Sequence, residues 1–113
     1  MSCIFCRIVA GEVPSARVLE DEHVIALRDI HPQAPVHVLV IPRVHVASLW
    51  ELEDRALAGH LLHAAGEVAR RLDLAKGFRV IANNRHDGGQ EVEHLHLHVL
   101  GGRRLGPMLA RMI

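Results

Sequence analysis

At 113 residues, half of them hydrophobic, the chain has material for one domain, residues 1–113, with one core. Its thirteen basic and thirteen acidic side chains cancel, so no broad field favours nucleic acid or anionic lipid, and any phosphate recognition must be local. No apolar run approaches the roughly 18 residues of a membrane span and the first residues lack a secretory signal, which points to the cytoplasm.

In chain order, Cys3-x-x-Cys6 comes first. In a reducing compartment such a pair is more often a metal or redox site than a structural disulfide. Residues 4–10 read as a short helical or irregular entry, broken by Gly11 and Pro14 before an extended segment, 17–20. Glu20-Asp21-Glu22 reads as a solvated hairpin tip and residues 23–28 as a second strand. Asp29-Ile30-His31-Pro32-Gln33-Ala34-Pro35 carries two prolines and makes a stiff loop. The next run, residues 36–41, is apolar and β-branched, as in a central strand, with His37 near its start and Pro42 stopping it.

Ser48-Leu49-Trp50-Glu51 has the form of a capping box and predicts a short helix. Asp54 opens a longer one, in which Leu57, Leu61, Ala64, Val68 and Leu72 recur at helical spacing and Lys76-Gly77 supply the end. Ala58, Leu62, Ala65 and Ala69 form a second apolar stripe, which fits either a helix-mediated dimer or close packing within the chain. Residues 78–82 read as a fourth strand, and 83–91 as a loop with Asp87-Gly88-Gly89. Residues 94–100 make the last strand, and 103–113 a tail with an apolar end. The order, strands then helix then strands joined by hairpins, is that of an α+β fold with an antiparallel sheet.

The most informative stretch is that last strand, His94-Leu95-His96-Leu97-His98-Val99-Leu100. Strict alternation puts the three imidazoles on one face, about 6.7 Å apart, and Leu95, Leu97 and Val99 on the other. Three ring nitrogens in a row are costly to bury without partners, so they should meet an anion, a metal or a reacting group.

The run resembles the signature of the histidine triad (HIT) superfamily of nucleotide hydrolases and transferases. Cys3-Ile4-Phe5-Cys6-Arg7-Ile8, Asp29 to His37, Ile41-Pro42-Arg43-Val44-His45, Gly88-Gly89-Gln90, Gly101-Gly102-Arg103 and Gly106-Pro107-Met108 are similar to segments of its Hint branch, the purine nucleoside phosphoramidases of bacterial type. The resemblance implies a HIT-like fold: a five-stranded antiparallel sheet, one long and one short helix, and two sheets joined across a homodimer. It implies a purine nucleotide substrate, with His96 as nucleophile, His98 on the phosphate, and His37 and Asn83 in support. It also implies that Asp29 holds the ribose, that Phe5, Leu27 and Ile30 line the base pocket, and that Gly89, Gln90 and Glu91 lie near the phosphate and leaving group. Asp29 can equally be read as a turn cap, and Phe5, Leu27 and Ile30 as core. Glu91 and Glu93 depart from the eukaryotic pattern of a serine and an aromatic.

A neutral imidazole is a good nucleophile toward phosphorus at physiological pH. His96 would attack, one nitrogen presenting a lone pair while the other, as N–H, donates to a backbone carbonyl that fixes the tautomer. His98 and backbone N–H groups near Gly88, Gly89 and Gln90 would offset charge on the phosphate oxygens. A third histidine, where the transferases have glutamine, favours hydrolysis by resemblance. Cys3 and Cys6 with His45 and His94 would make a closed Cys2His2 site, structural, with zinc implied and no cofactor required for catalysis. Three other readings stand beside this one. They are a metallohydrolase with Asp29 or Asp87 completing a His-x-His site, a non-enzymatic nucleotide-binding regulatory module, and a dinucleoside polyphosphate hydrolase.

Overall fold

The alternating runs become five strands, and the computed structural model describes them within residues 3–110, so the apolar end at 111–113 lies outside the described residues. They are β1 (Arg17–Glu20), β2 (Val24–Arg28), β3 (Val36–Pro42), β4 (Phe78–Ile81) and β5 (Leu97–Gly101), with helices α1 (Ile4–Val9) and α2 (Arg55–Arg71). The strands form one sheet in the order β1-β2-β3-β5-β4, every neighbouring pair antiparallel, which is the α+β architecture expected.

Because side chains alternate along a strand, each face of the sheet gathers its own core. Val24, Ala26, Val38, Val40, Leu95, Leu97 and Val99 pack under α2 against Leu57, Leu61, Ala64, Ala65, Val68 and Ala69. Ile25, Leu27, Leu39 and Ile41 face the other way, onto Phe5 and Ile8 of α1. In the β3–β5 register His98 stands opposite Leu39, so the imidazoles fall on the α1 face. The long helix seals one side of the sheet, and the other is left to a helix of only six residues.

Three expectations change. The last strand begins at Leu97, not His94. Its ladder with β3 ends at Val40↔Leu97 because Pro42 has no N–H to continue it and its carbonyl is taken by the His94 ring. The preceding residues bond elsewhere, Leu95 N–H to Val46 O at 2.7 Å and His94 N–H to Val92 O at 2.8 Å. Alternation still holds, with Leu95 in the α2 core and the His94 and His96 rings against Phe5.

Ser48 and Glu51 do meet, Ser48 Oγ donating to the carboxylate at 2.6 Å, but the bonds around them are those of a turn and no helix follows. The next helical start is already set by Asp54, whose carboxylate accepts the Leu57 N–H at 3.1 Å. The end of α2 falls at Arg71 rather than at Lys76-Gly77. There Asp73 takes a left-handed φ of 59° and the chain folds back to bury Leu74. Of the second stripe, Ala65 and Ala69 are buried within the chain, and Leu62 alone is strongly exposed, at 64%.

Candidate active site

The site grows from the stiff loop that feeds β3. Asp29 Oδ1 accepts the His31 N–H at 2.8 Å, so the turn-cap reading holds, while its Oδ2 faces His37 Nε2 at 3.4 Å. Gln33 N–H donates to His37 Nδ1 at 3.1 Å. A neutral His37 must therefore carry its proton on Nε2, and this donates to His98 Nδ1 at 2.9 Å. His98 in turn keeps its own proton on Nε2, its remaining ring nitrogen.

Burial holds His37 below the usual imidazole value, with Asp29 pulling weakly the other way. Burial, reinforced by the neighbouring His96 and His37, takes His98 down to about 4. Both rings are neutral at physiological pH, so a single backbone amide at Gln33 sets the tautomer of two histidines.

The His96 tautomer is set independently. Its Nδ1 donates to the His94 carbonyl at 2.7 Å, leaving Nε2 as the lone pair. Phe5 and His98 meet the ring edge-on, with centroids 5.1 and 5.0 Å away.

The remaining sequence-predicted residues divide. Phe5 and Leu27 are buried together on the α1 face, but Ile30 stands on the loop, 85% exposed. Asn83 is half-buried beyond β4. Its neighbour Asn84 bonds Leu49 N–H at 2.8 Å and Ala82 O at 3.1 Å. In the 83–91 loop, a Cβ on Gly88 would sit 2.3 Å from Asn84 O, so only glycine fits. The amides of Gly89 and Gln90 donate within the loop, to His86 O and Arg85 O, so they are not free for phosphate as expected. The Gln90 side chain braces the loop, accepting from Arg85 N–H at 2.7 Å and donating to Ala47 O and Val92 O at 2.6 and 2.9 Å. Glu91 and Glu93 are exposed. Sequence reasoning missed the Gln33 amide and the Pro42 and His94 carbonyls. Backbone groups leave no residue-type signal, although a fixed tautomer requires some such partner.

A second cluster lies behind His96. The ligand atoms of Cys3, Cys6, His45 and His94 all fall within 4.8 Å of one another. Cys3 Sγ and Cys6 Sγ are 3.3 and 3.6 Å from His94 Nδ1, and His45 Nδ1 is 3.4 Å from Cys6 Sγ and 3.2 Å from His94 Nδ1. A tetrahedral zinc with bonds of about 2.3 Å to sulfur and 2.0–2.1 Å to nitrogen requires nitrogen–nitrogen and nitrogen–sulfur edges of roughly 3.3–3.6 Å, so the donor set fits and could hold such an ion.

His94 Nε2 donates to Pro42 O at 2.9 Å, which turns the Nδ1 lone pair into the cluster. Asp29, His37 and His98 also gather within 4.8 Å, but there the shared position holds the His37 proton. One histidine pair is wired around a proton, the other around a pair of facing lone pairs.

A five-stranded antiparallel sheet whose last strand, with the segment leading into it, carries alternating histidines onto the face of a short N-terminal helix defines the class. Residues 10–105 match the HIT domain, and the chain belongs to that family. Among its relatives, a purine nucleoside phosphoramidase of Escherichia coli K12 is 44% identical over 110 residues, covering 95% of this chain and 92% of that protein. An uncharacterised HIT-like protein of Azospirillum brasilense is 48% identical over 113 residues, covering 96% and 92%. Among solved structures, a histidine triad protein from Clostridium difficile gives a TM-score of 0.91 at 43% identity, covering 96% of this chain and 97% of that one. A HIT family hydrolase from Legionella pneumophila gives 0.90 at 42%, covering 93% and 96%.

Proposed function

We propose that this chain is a hydrolase that cleaves the P–N bond of purine nucleoside phosphoramidates, of the adenosine 5′-monophosphoramidate type, through a nucleotidyl-His96 intermediate. The carrying observation is the pair of fixed tautomers: a lone pair on His96 Nε2 beside an N–H on His98 Nε2. His96 Nε2 attacks phosphorus and the P–N bond breaks with its electron pair going to nitrogen, which takes a proton from solvent and departs as the amine. His98 Nε2–H donates to a non-bridging oxygen, and its neutrality keeps it from repelling His96 when that ring becomes cationic in the intermediate. Water then releases the nucleoside monophosphate and restores the lone pair.

Asp29 holds the ribose hydroxyls through Oδ2, since Oδ1 is committed to His31 N–H. Phe5 and Leu27 wall the base pocket, with Ile30 closing on it from the loop. Asn83, Gly89, Gln90 and Glu91 frame the phosphate and leaving-group side. The activity in the name of the 44% identical relative supports the same chemistry.

For the metallohydrolase reading, a His-x-His site completed by Asp29 or Asp87, the grouping among the described residues that includes Asp29 joins it to His98 and His37. There the Gln33 amide holds the His37 proton on Nε2, the position a ligand would need, and this favours the proton relay. We assign zinc, in a structural role, to Cys3, Cys6, His45 and His94, and the cytoplasm as the compartment that keeps both thiols reduced. We also assign a homodimer, supported by the exposed apolar side chains of the β4 edge.

The test is His96→Ala with intact-mass analysis. The parent, quenched during turnover, should carry a nucleoside monophosphate adduct on His96. The variant should bind adenosine monophosphate with its turnover lowered by several powers of ten. A variant that keeps substantial turnover, or a parent that shows no nucleoside monophosphate adduct on His96, overturns the reading.

A further inference from the structure

We infer that the Cys3, Cys6, His45 and His94 cluster, loaded with metal, positions the His96 ring for attack as well as holding the fold. The inference rests on the reading of His96 as nucleophile, and His94 and Phe5 are its positioning residues.

His94 is tied at three points. Its Nδ1 faces the two thiols and His45, its Nε2–H is held by Pro42 O, and its backbone carbonyl receives the His96 Nδ1–H at 2.7 Å. The same residue thus ligates at one end and fixes the tautomer of the attacking ring at the other. Phe5 supplies a second link. It sits between the two cysteines on α1 and meets both rings edge-on, His94 at 5.7 Å and His96 at 5.1 Å.

A helix of six residues does not hold itself in water, so the seat of Phe5 depends on what anchors α1. Two of those anchors are Cys3, which is also the N-cap, and Cys6. Without a cation, the His45 and His94 Nδ1 atoms, 3.2 Å apart, present lone pairs to each other unless a proton bridges them, and the thiols are weak partners. Opening the corner would move the peptide that carries the His94 carbonyl and the ring that walls His96. Loss of outer-shell support of this kind typically costs about ten- to a hundred-fold in activity, and a displacement near 1 Å alone is enough for the upper figure.

The test compares Cys6→Ala, which removes one ligand and spares the N-cap, with Cys6→His, which offers a replacement ligand. Each is assayed for zinc content, adenosine monophosphate affinity, kcat and KM, and by NMR of the His96 ring, where a retained Nδ1–H marks the tautomer without any turnover. Zinc-free Cys6→Ala should lose about ten- to a hundred-fold in kcat, a larger fall than any weakening of nucleotide affinity through Phe5, and its Nδ1 proton should exchange freely. Zinc-loaded Cys6→His should restore both. If Cys6→Ala does not fold, the parent stripped by chelator in the cold replaces it, with the same expectations.

Zinc-free protein with parental kcat and a protected Nδ1 proton would overturn the proposal, as would a loss of kcat not restored in zinc-loaded Cys6→His. Failure of the underlying reading looks different: the zinc-loaded parent shows no His96 adduct, while the Nδ1 proton still reports on the corner.

Discussion

At the scale of single residues, His98 and His37 are held neutral by burial, and this sets how the protein answers acid. A histidine whose folded value lies below its unfolded one binds protons more weakly when folded, so acid favours the unfolded chain. The stability that neutral His98 contributes is fully present above its ordinary value of 6.5 and is lost progressively as pH falls toward about 4. His37, lowered in the same direction, adds to the fall. Thermal melts between pH 7 and pH 4 should show Tm dropping across that window, and His98→Gln, which has no proton to gain, should flatten the slope. An unchanged slope would show that His98 is not the group concerned. Asp29 separates two jobs within one carboxylate, a turn cap on Oδ1 and a ligand contact on Oδ2. Asp29→Asn keeps an oxygen for the His31 N–H and removes the charge. It should leave Tm near the parent's while weakening adenosine monophosphate by about 1.5–3 kcal/mol, roughly ten- to a hundred-fold in Kd by calorimetry. Equal affinity in the two proteins would return Asp29 to a purely local role.

At the scale of elements, the 83–91 loop is a brace for the site more than a cradle of free amides. Gln90 ties it to Ala47 and Val92, Asn84 ties it to Leu49, and Gly88 lies so close to Asn84 that a methyl group has no room. Gly88→Ala must push the loop off Asn84 O, a backbone atom that cannot swing aside. The sheet should survive in far-UV circular dichroism while turnover falls more than Tm alone would suggest, and activity matching the parent's would show that the loop shape is unimportant. The strands were legible because period-two alternation depends only on which face is buried, and the triad run announced its chemistry by residue type. Element ends were less legible. The end of α2 is set by Leu74 turning back into the core, and the start of β5 by Pro42 having nothing to donate. Both are decided by a partner distant in sequence. The same is true inside the site: Cys3, Cys6, His45 and His94 could be grouped from sequence by resemblance, but the Gln33 amide and the His94 carbonyl, which set the proton positions, belong to no side-chain pattern.

At the scale of the whole molecule, the sheet ends on one side at β4, whose outer edge has no strand partner among the described residues. An open edge with apolar side chains is a template for pairing, and single-chain proteins usually blunt it with charge or cover it. Here Phe78 and Val80 remain 45% and 38% exposed on that edge, and Arg79, the charge between them, is drawn away to Gly106 O and Pro107 O at 2.9 and 3.2 Å. Two copies meeting β4 to β4 would bury both apolar residues and continue the two sheets into one of ten strands, about a two-fold axis. Leu62, exposed on α2, gives a second apolar point for the same face. Val80→Arg places a charge where the two edges would meet, and like charges facing across a two-fold axis are counted twice. Sedimentation should give the mass of two chains for the parent and of one for the variant. Because Asp29, His37, His96 and His98 come from a single chain, the separated variant should still bind adenosine monophosphate. A parent that sediments as one chain at every concentration would remove the dimer, and a variant that remains paired would move the interface away from β4.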